Sequence, residues 1–424
     1  MLTTLKNAFK IKEIRQKILF TLGMLVVIRI GSQLPVPGVD TKFFSQWFAQ
    51  QTGGAFSFFD AITGGSFLNM SILALNINPY ITSSIIMQLL TIAIPKLEEM
   101  QRDGEDGRKK MVAITRYVTV ALALIQSTAM AIGFGRQGYL IEFNALNVIT
   151  TITALTAGSA FLMWVGERIT EKGIGNGISI VLVINIISRL PQDLSNLFEQ
   201  FVFGKAPATA ILAVVIILND GVRKIPVQYA KKMQGRKMVG GQTSNIPLKV
   251  NTSGVIPIIF AQSIMQFPII ICSFIGYNGT GVWAEILKGL NSGYWCKPCQ
   301  PIYSLGLLLY IVLIVFFAYF YTSITFNPLM IADNMKKQGG FIPGIRPGKP
   351  TSDYLNKILN YIVFIGAIGL IIVSVIPYFF NGVFGASVSF GGTSLIIIVS
   401  VVLETMKQVE SQMLVRNYKG FLED

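Results

Sequence analysis

Residues 64–86 read GGSFLNMSILALNINPYITSSII. The stretch is apolar enough to enter a membrane. Yet Gly64, Gly65, Asn69, Asn76, Asn78 and Pro79 interrupt it about where lipid would be deepest. Backbone N–H and C=O groups find no water there. Non-helical chain at that depth is tolerated only where protein or a water-filled cavity satisfies it. The glycine pair permits a re-entry turn, and Asn76, Asn78 and Pro79 mark a break before a helix resumes. An ordinary kinked span beginning at Ala61 is the rival reading.

The surrounding chain sets the class. Of 424 residues, 52% are hydrophobic and 13% charged, and the mean hydropathy is +0.58. A soluble domain carries about 25% charged residues. Apolar runs at 18–34, 75–94, 111–134, 146–166, 174–190, 206–220, 254–275, 303–326, 357–379 and 390–406 suit helices that cross ~30 Å of hydrocarbon. The expectation is an all-α polytopic membrane protein with ten spans. Its first residues, MLTTLKNAFKIKEIRQK, form a basic amphipathic stretch without a small-residue cleavage site. The sixth run is a misfit. Ala206 to Leu218 offers 13 mainly apolar residues, about 20 Å of helix. Either it continues into part of GVRKIPVQYA or residues are missing from it.

Loops placed on alternate sides give 27 Lys and Arg on the side of the N-terminus and 6 on the other. That bias puts both termini in the cytoplasm. Two cytoplasmic loops, 221–253 and 327–357, are long for connections in a compact domain. IPVQYA and IPLKV read as strands, and the prolines of GGFIPGIRPGKPT fix its backbone. The expected role is a pair of basic prongs that dock a large partner, an acidic protein or ribosomal RNA. Their basic residues include Arg223, Lys224, Lys231, Lys232, Arg236 and Lys237 in the first loop, and Lys336, Lys337 and Arg346 in the second.

Missing charges narrow the function. No Asp, Glu or Lys lies in the middle of a span, Arg29 sits near a span end where it can snorkel, and histidine is absent. Ion-coupled transport needs an ionisable group at depth. An intramembrane protease needs paired acids, a metal site or a serine with a base. There is no GxxxxGK[ST] loop for ATP hydrolysis. What remains is a pore lined by apolar and uncharged polar residues, with no enzyme activity and no cofactor or metal. WCKPC at 295–299 is a single CxxC, weak as a redox or metal signal. It reads as a loop feature whose Cys296 and Cys299 could pair on an oxidising side.

Several motifs together identify a family: LPVPGVD at 34–40, NINPYITSSIIMQLL at 76–90, DGEDGRKK at 103–110 and ERITEKGIGNGISI at 167–180. IPVQYAKKMQGRKMVGGQTSNIPLKVN, GVIPIIFAQSI, NPLMIADNMKKQGGFIPGIRPGKPT and GGTSLIIIVSVVLE follow in order. The chain resembles the SecY family, central subunits of the bacterial Sec protein-conducting channel, over essentially its whole length. The short sixth run and WCKPC depart from that pattern.

The resemblance implies two inverted pseudo-symmetric halves, spans 1–5 in 1–190 and spans 6–10 in 206–424, hinged at 191–205. It implies a plug helix within about 61–74, with Gly64, Gly65, Ser66, Phe67, Leu68, Asn69, Met70 and Ser71 blocking the outer funnel. By the same matching a pore ring falls on Ile77, Ile81, Ile186, Ile259 and Ile397, with Leu182 a candidate sixth member. A lateral gate would set Thr82, Ser83, Gln88 and Thr91 against Gln262, Ser263 and Gln266. Arg223 to Lys237 and Lys336 to Arg346 would meet a motor or ribosome. The implied function is passive translocation of unfolded preproteins across the bacterial plasma membrane, with sideways release of apolar segments into membrane lipids. A SecA-like ATPase motor or the ribosome would drive it. SecE-like and SecG-like small subunits would accompany it, and signal sequences would open it. A solute transporter and a poreless insertion scaffold are the alternative classes.

Overall fold

In the computed structural model the described residues are 9–41, 44, 60, 63–136, 138, 140–188, 221–229, 232–234, 237–239, 243–275, 281–297, 301–384 and 392–419. The helices in order are α1 (Lys12–Gly31), α2 (Asn78–Ala93), α3 (Pro95–Arg102), α4 (Gly104–Arg136), α5 (Ala145–Lys172) and α6 (Gly177–Ser188). Then come α7 (Ile256–Ile275), α8 (Val282–Leu290), α9 (Leu305–Thr325), α10 (Pro328–Lys337), α11 (Lys349–Phe384) and α12 (Gly392–Lys419). Each expected span except 206–220 falls on one of them. That run and the expected hinge at 191–205 lie outside the described residues.

Among the described residues, four helices are long and apolar enough to cross a membrane, or five if the bent pair α2–α3 is one span. The bend is 109° and has a local cause. Ile94 precedes Pro95, which pushes it to extended backbone at φ −116, ψ 109. Beyond it the chain becomes the polar helix PKLEEMQR.

The residues group into two units, one within Met1–Glu199, Pro268–Glu285 and Val401–Asp424, the other within Gln200–Phe267 and Ile286–Ser400. In the first, α4 packs along α2 and α5 with small and hydroxylated residues such as Thr119, Ser127 and Ala131 buried on it, which let backbones approach closely. Ser127 and Thr156 share a hydrogen bond of 2.9 Å between their hydroxyls. Arg116 of α4 grips Glu167 of α5 with two contacts of 2.8 Å. Arg29 lies in the last turn of α1. It is half-buried, and its Nη1 has no hydrogen-bond partner among the described residues.

The second unit joins the two long loops, which the sequence reading kept apart. Strand β1 (Val222–Tyr229) pairs antiparallel with β4 (Thr243–Lys249), with Ile225 opposite Ile246. Between them β2 (Lys232–Gln234) and β3 (Lys237–Val239) form a hairpin of their own. From the other loop, β5 (Gly340–Phe341) pairs with the far end of β1. Strand β1 alternates, its Ile225 and Val227 turned inward. Those two residues, with Leu248, Met335, Ile342, Leu355, Ile358 and Ile362, make one core that seats the sheet on α10 and α11.

Candidate functional site

The opening stretch is built from turns. Residues 64–70 hold no helix, which corrects the expected plug helix at those positions. Gly64 (φ +66), Gly65 (φ +84) and Met70 (φ +42) are left-handed, and such residues cannot continue a right-handed helix. Its backbone groups are satisfied by protein instead. Gly65 N–H donates to the Asp60 carbonyl (3.2 Å), Asn69 N–H to the Gly65 carbonyl (3.1 Å) and Ser71 N–H to the Ser66 carbonyl (3.0 Å). The Asp60 carboxylate accepts from Leu68 N–H at 2.9 Å.

The LPVPGVD motif completes the set. Val36 N–H donates to the Met70 carbonyl and Ile72 N–H to the Leu34 carbonyl, each at 2.9 Å, around a Pro35–Ser71 bridge. Phe67 then packs edge-on to Phe44, and Phe44 edge-on to Phe134, with centroids 5.5 and 5.0 Å apart. Gly158 of α5 meets the Ile72 carbonyl so closely that any Cβ would overlap it.

A buried polar network fixes the break before α2. Asn76 is left-handed at φ +53, a conformation asparagine tolerates better than most residues. Its Oδ1 accepts from Asn185 Nδ2 at 3.1 Å, and its carbonyl accepts from Ser159 Oγ at 3.1 Å. Ser188 Oγ donates to the Asn185 carbonyl (2.6 Å) and to the Gly64 carbonyl (3.4 Å). The turn at 64, the break at 76 and helix α6 are thus tied together.

Of the expected ring residues, Ile77 is fully buried and its carbonyl accepts the first helical N–H groups of α2, from Tyr80 and Ile81. Ile81 is half-buried, Leu182 and Ile186 are buried on α6. Ile77 and Ile186 are the sequence neighbours of the bonded Asn76 and Asn185, so that bond brings their backbones together. In the other unit Ile259 is half-buried on α7 and Ile397 is buried on α12.

The expected gate hydroxyls mostly turn to backbone. Thr82, Thr91 and Ser263 donate to carbonyls one turn back in their own helices, those of Asn78, Met87 and Ile259. Ser83 donates to the Thr115 carbonyl of α4 at 2.8 Å. Gln88 is half-buried. Gln262 is buried and its Oε1 accepts from Tyr378 at 3.1 Å. Buried Gln266 leaves its Nε2 without a partner among the described residues.

On the sheet, Arg223 and Lys224 are exposed on β1, and Lys336 and Lys337 on the last turn of α10. Lys232 and Lys237 belong to the β2–β3 hairpin, while Lys231 and Arg236 lie outside the described residues. Arg346 is exposed, and its carbonyl accepts from the buried Thr351 hydroxyl at 2.8 Å. The side chain is free while the backbone beneath it is held.

The SecY family model matches residues 71–406. The chain belongs to the SecY family. The Protein translocase subunit SecY of Streptomyces galbus is 44% identical over 446 residues, covering 100% of both chains. That of Mycobacterium bovis is 41% identical over 449 residues, again 100% of both. Two solved structures share the fold. "The structure of a protein conducting channel" has a TM-score of 0.64 at 19% identity, covering 94% of this chain and 92% of that one. "Sec61 in the Canine ribosome-channel complex from the endoplasmic reticulum" has 0.62 at 18%, with the same coverage.

In this SecY-family chain, residues that motif reading passed over prove structural. Asp60, Phe44, Phe134, Ser159 and Asn185 hold the turn segment, and no spacing in the sequence links them to residue 64. WCKPC is anchored by its tryptophan. Trp295 is buried against Tyr310 and Tyr378, with centroids 5.5 and 5.1 Å away. Cys296 is a free thiol whose pKa burial pushes up, which disfavours the thiolate. Cys299 lies outside the described residues.

Proposed function

We propose that this chain is the pore subunit through which unfolded secretory proteins cross the bacterial plasma membrane, with sideways release of apolar segments into lipid. Its membership of the SecY family makes it a protein-conducting channel. The observation that carries the finer reading is the 64–71 segment. It is non-helical chain of mostly small and polar residues, and its backbone N–H groups at Gly65, Asn69 and Ser71 are met by protein carbonyls, as the bilayer requires. Such a segment, held by a few contacts, suits a plug that can leave a wet cavity.

In this reading Ile77, Ile81, Leu182 and Ile186 meet Ile259 and Ile397 as the waist. Branched apolar side chains there exclude water and ions yet yield around a passing chain. The two halves hinge at 191–205 and part at a gate whose uncharged polar groups contribute about 0.6–2 kcal/mol each. Both termini face the cytoplasm, as the loop charges indicate. The exposed basic residues of the joined loops suit a SecA-like motor or a ribosome, and SecE-like and SecG-like subunits complete the complex. Proteoliposomes with a SecA-like ATPase and an unfolded preprotein test this. The expected result is ATP-dependent protection of the preprotein from added protease. A chain that moves small solutes but protects no preprotein would overturn it.

A further inference from the structure

Helix α8, VWAEILKGL, buries none of its residues. At 100° per residue, Val282, Trp283, Ile286, Leu287 and Leu290 share one face about 140° wide, with Glu285 and Lys288 opposite. Val282 is 79% exposed, Trp283 51% and Ile286 44%. A helix with so many bare apolar side chains needs a cover.

Its end is tied to the mouth of α9. The Gly289 carbonyl accepts from Trp295 Nε1 at 2.7 Å and sits against Gly306 so closely that a Cβ there would strike it. Trp295 in turn is wedged on Tyr310 of α9 and Tyr378 of α11. Gly306 lies in the first turn of a helix long and apolar enough to cross the membrane. Gly289 is therefore held at the level where α9 enters the hydrocarbon. Leu305, Leu308, Leu309 and Val312 of α9 are all exposed, and in a membrane-crossing helix lipid covers such a row. The apolar face of α8 starts from that same level.

We infer that α8 is an interfacial anchor in the leaflet at the N-terminal end of α9. Its Trp283–Ile286 face is sunk to the headgroup–acyl boundary, and Glu285 and Lys288 face water. The occupant of the bare face is lipid, not protein. Amphipathic helices lie in this plane, and tryptophan favours this depth because its ring is apolar and its N–H polar. Nine residues make about 14 Å of helix, too short to span. The charges of Glu285 and Lys288 cancel, so the attachment draws on apolar burial rather than on anionic lipid.

The test uses the full chain in phosphatidylcholine vesicles whose acyl chains carry bromine either near the headgroup or near the methyl end. Subtracting the tryptophan emission of Trp283→Phe from that of the unaltered chain isolates Trp283. Shallow bromine should quench this difference more than deep bromine, and added phosphatidylglycerol should leave the pattern unchanged. A difference that neither lipid quenches would mean that water, a second copy or another protein covers the helix, and would overturn the inference. Equal or stronger quenching by deep bromine would overturn it too. Ile286→Trp on the Trp283→Phe background gives an independent reading from the same face, and should restore the shallow-quenched emission.

Discussion

Asn185 donates its side-chain N–H to the Oδ1 of Asn76 across 3.1 Å, and both residues are buried. This bond links the left-handed break before α2 to the helix that carries Leu182 and Ile186. Asn185 Oδ1, by contrast, is buried with no hydrogen-bond partner among the described residues. A buried acceptor left unmet costs about 1–3 kcal/mol. The link is therefore specific without being strong, which suits a contact that parts when a channel opens.

Replacing Asn185 by alanine removes that donor together with the unmet acceptor. The tie between α6 and the break before α2 should be lost, with the removed unmet acceptor offsetting part of its cost, and resting ion conductance in planar bilayers should rise. Asn76→Ala on top of it should add less than either change alone, because the two share one interaction. Fully additive conductance effects would show that the bond does not hold the closed state.

Gly64 and Gly65 separate conformational strain from steric contact. Both have positive φ, but an added Cβ meets nothing within 4 Å at Gly65, whereas at Gly64 it collides with the Asn185 backbone. Gly65→Ala should cost about 1–2 kcal/mol for the left-handed backbone. Gly64→Ala should cost more and should leak ions in the resting state. Thermal unfolding in detergent and single-channel recording measure the two effects. Equal outcomes would detach the turn from α6.

Ile259→Asn and Ile397→Asn place a polar side chain at the proposed waist. A wetted constriction conducts ions, so both variants should leak at rest and should export preproteins with defective signal sequences. Conductance and export assays check this. Unchanged leak and unchanged signal stringency in both would remove these residues from the pore.

Arg346 is exposed on a backbone held by Pro343, Pro347 and the Thr351 hydroxyl. Its planar fork of donors suits carboxylates, phosphates or carbonyls on a docked protein. Arg346→Glu should insert normally yet abolish motor-driven import into vesicles, while Lys336→Glu and Lys337→Glu should do less. Import is read against membrane abundance. Normal import by an abundant Arg346→Glu channel would return this arginine to a topological role.

Sequence by itself determined the class of this protein. Apolar runs and scarce charge require membrane helices, because no other open structure satisfies its backbone in lipid. The strands of the basic loops were also legible, since IPVQYA and IPLKV carry their own turn and β-branched signals. Motif order was enough to point to the family. What the tertiary structure alone decided is how distant residues close around these elements. The glycine pair in GGSFLNM permits a turn, but nothing local announces that turns fill the whole stretch, because the Leu34 and Val36 backbone that bonds its far end at Met70 and Ile72 comes from elsewhere in the chain. Nor does either long loop reveal that β5 completes the sheet begun at Val222. A strand pair of two residues has too little pattern to be read, and its stability comes from the shared core beneath it. Asn185 is one polar residue in an apolar run, and only folding brings it to Asn76, 109 residues earlier in the chain.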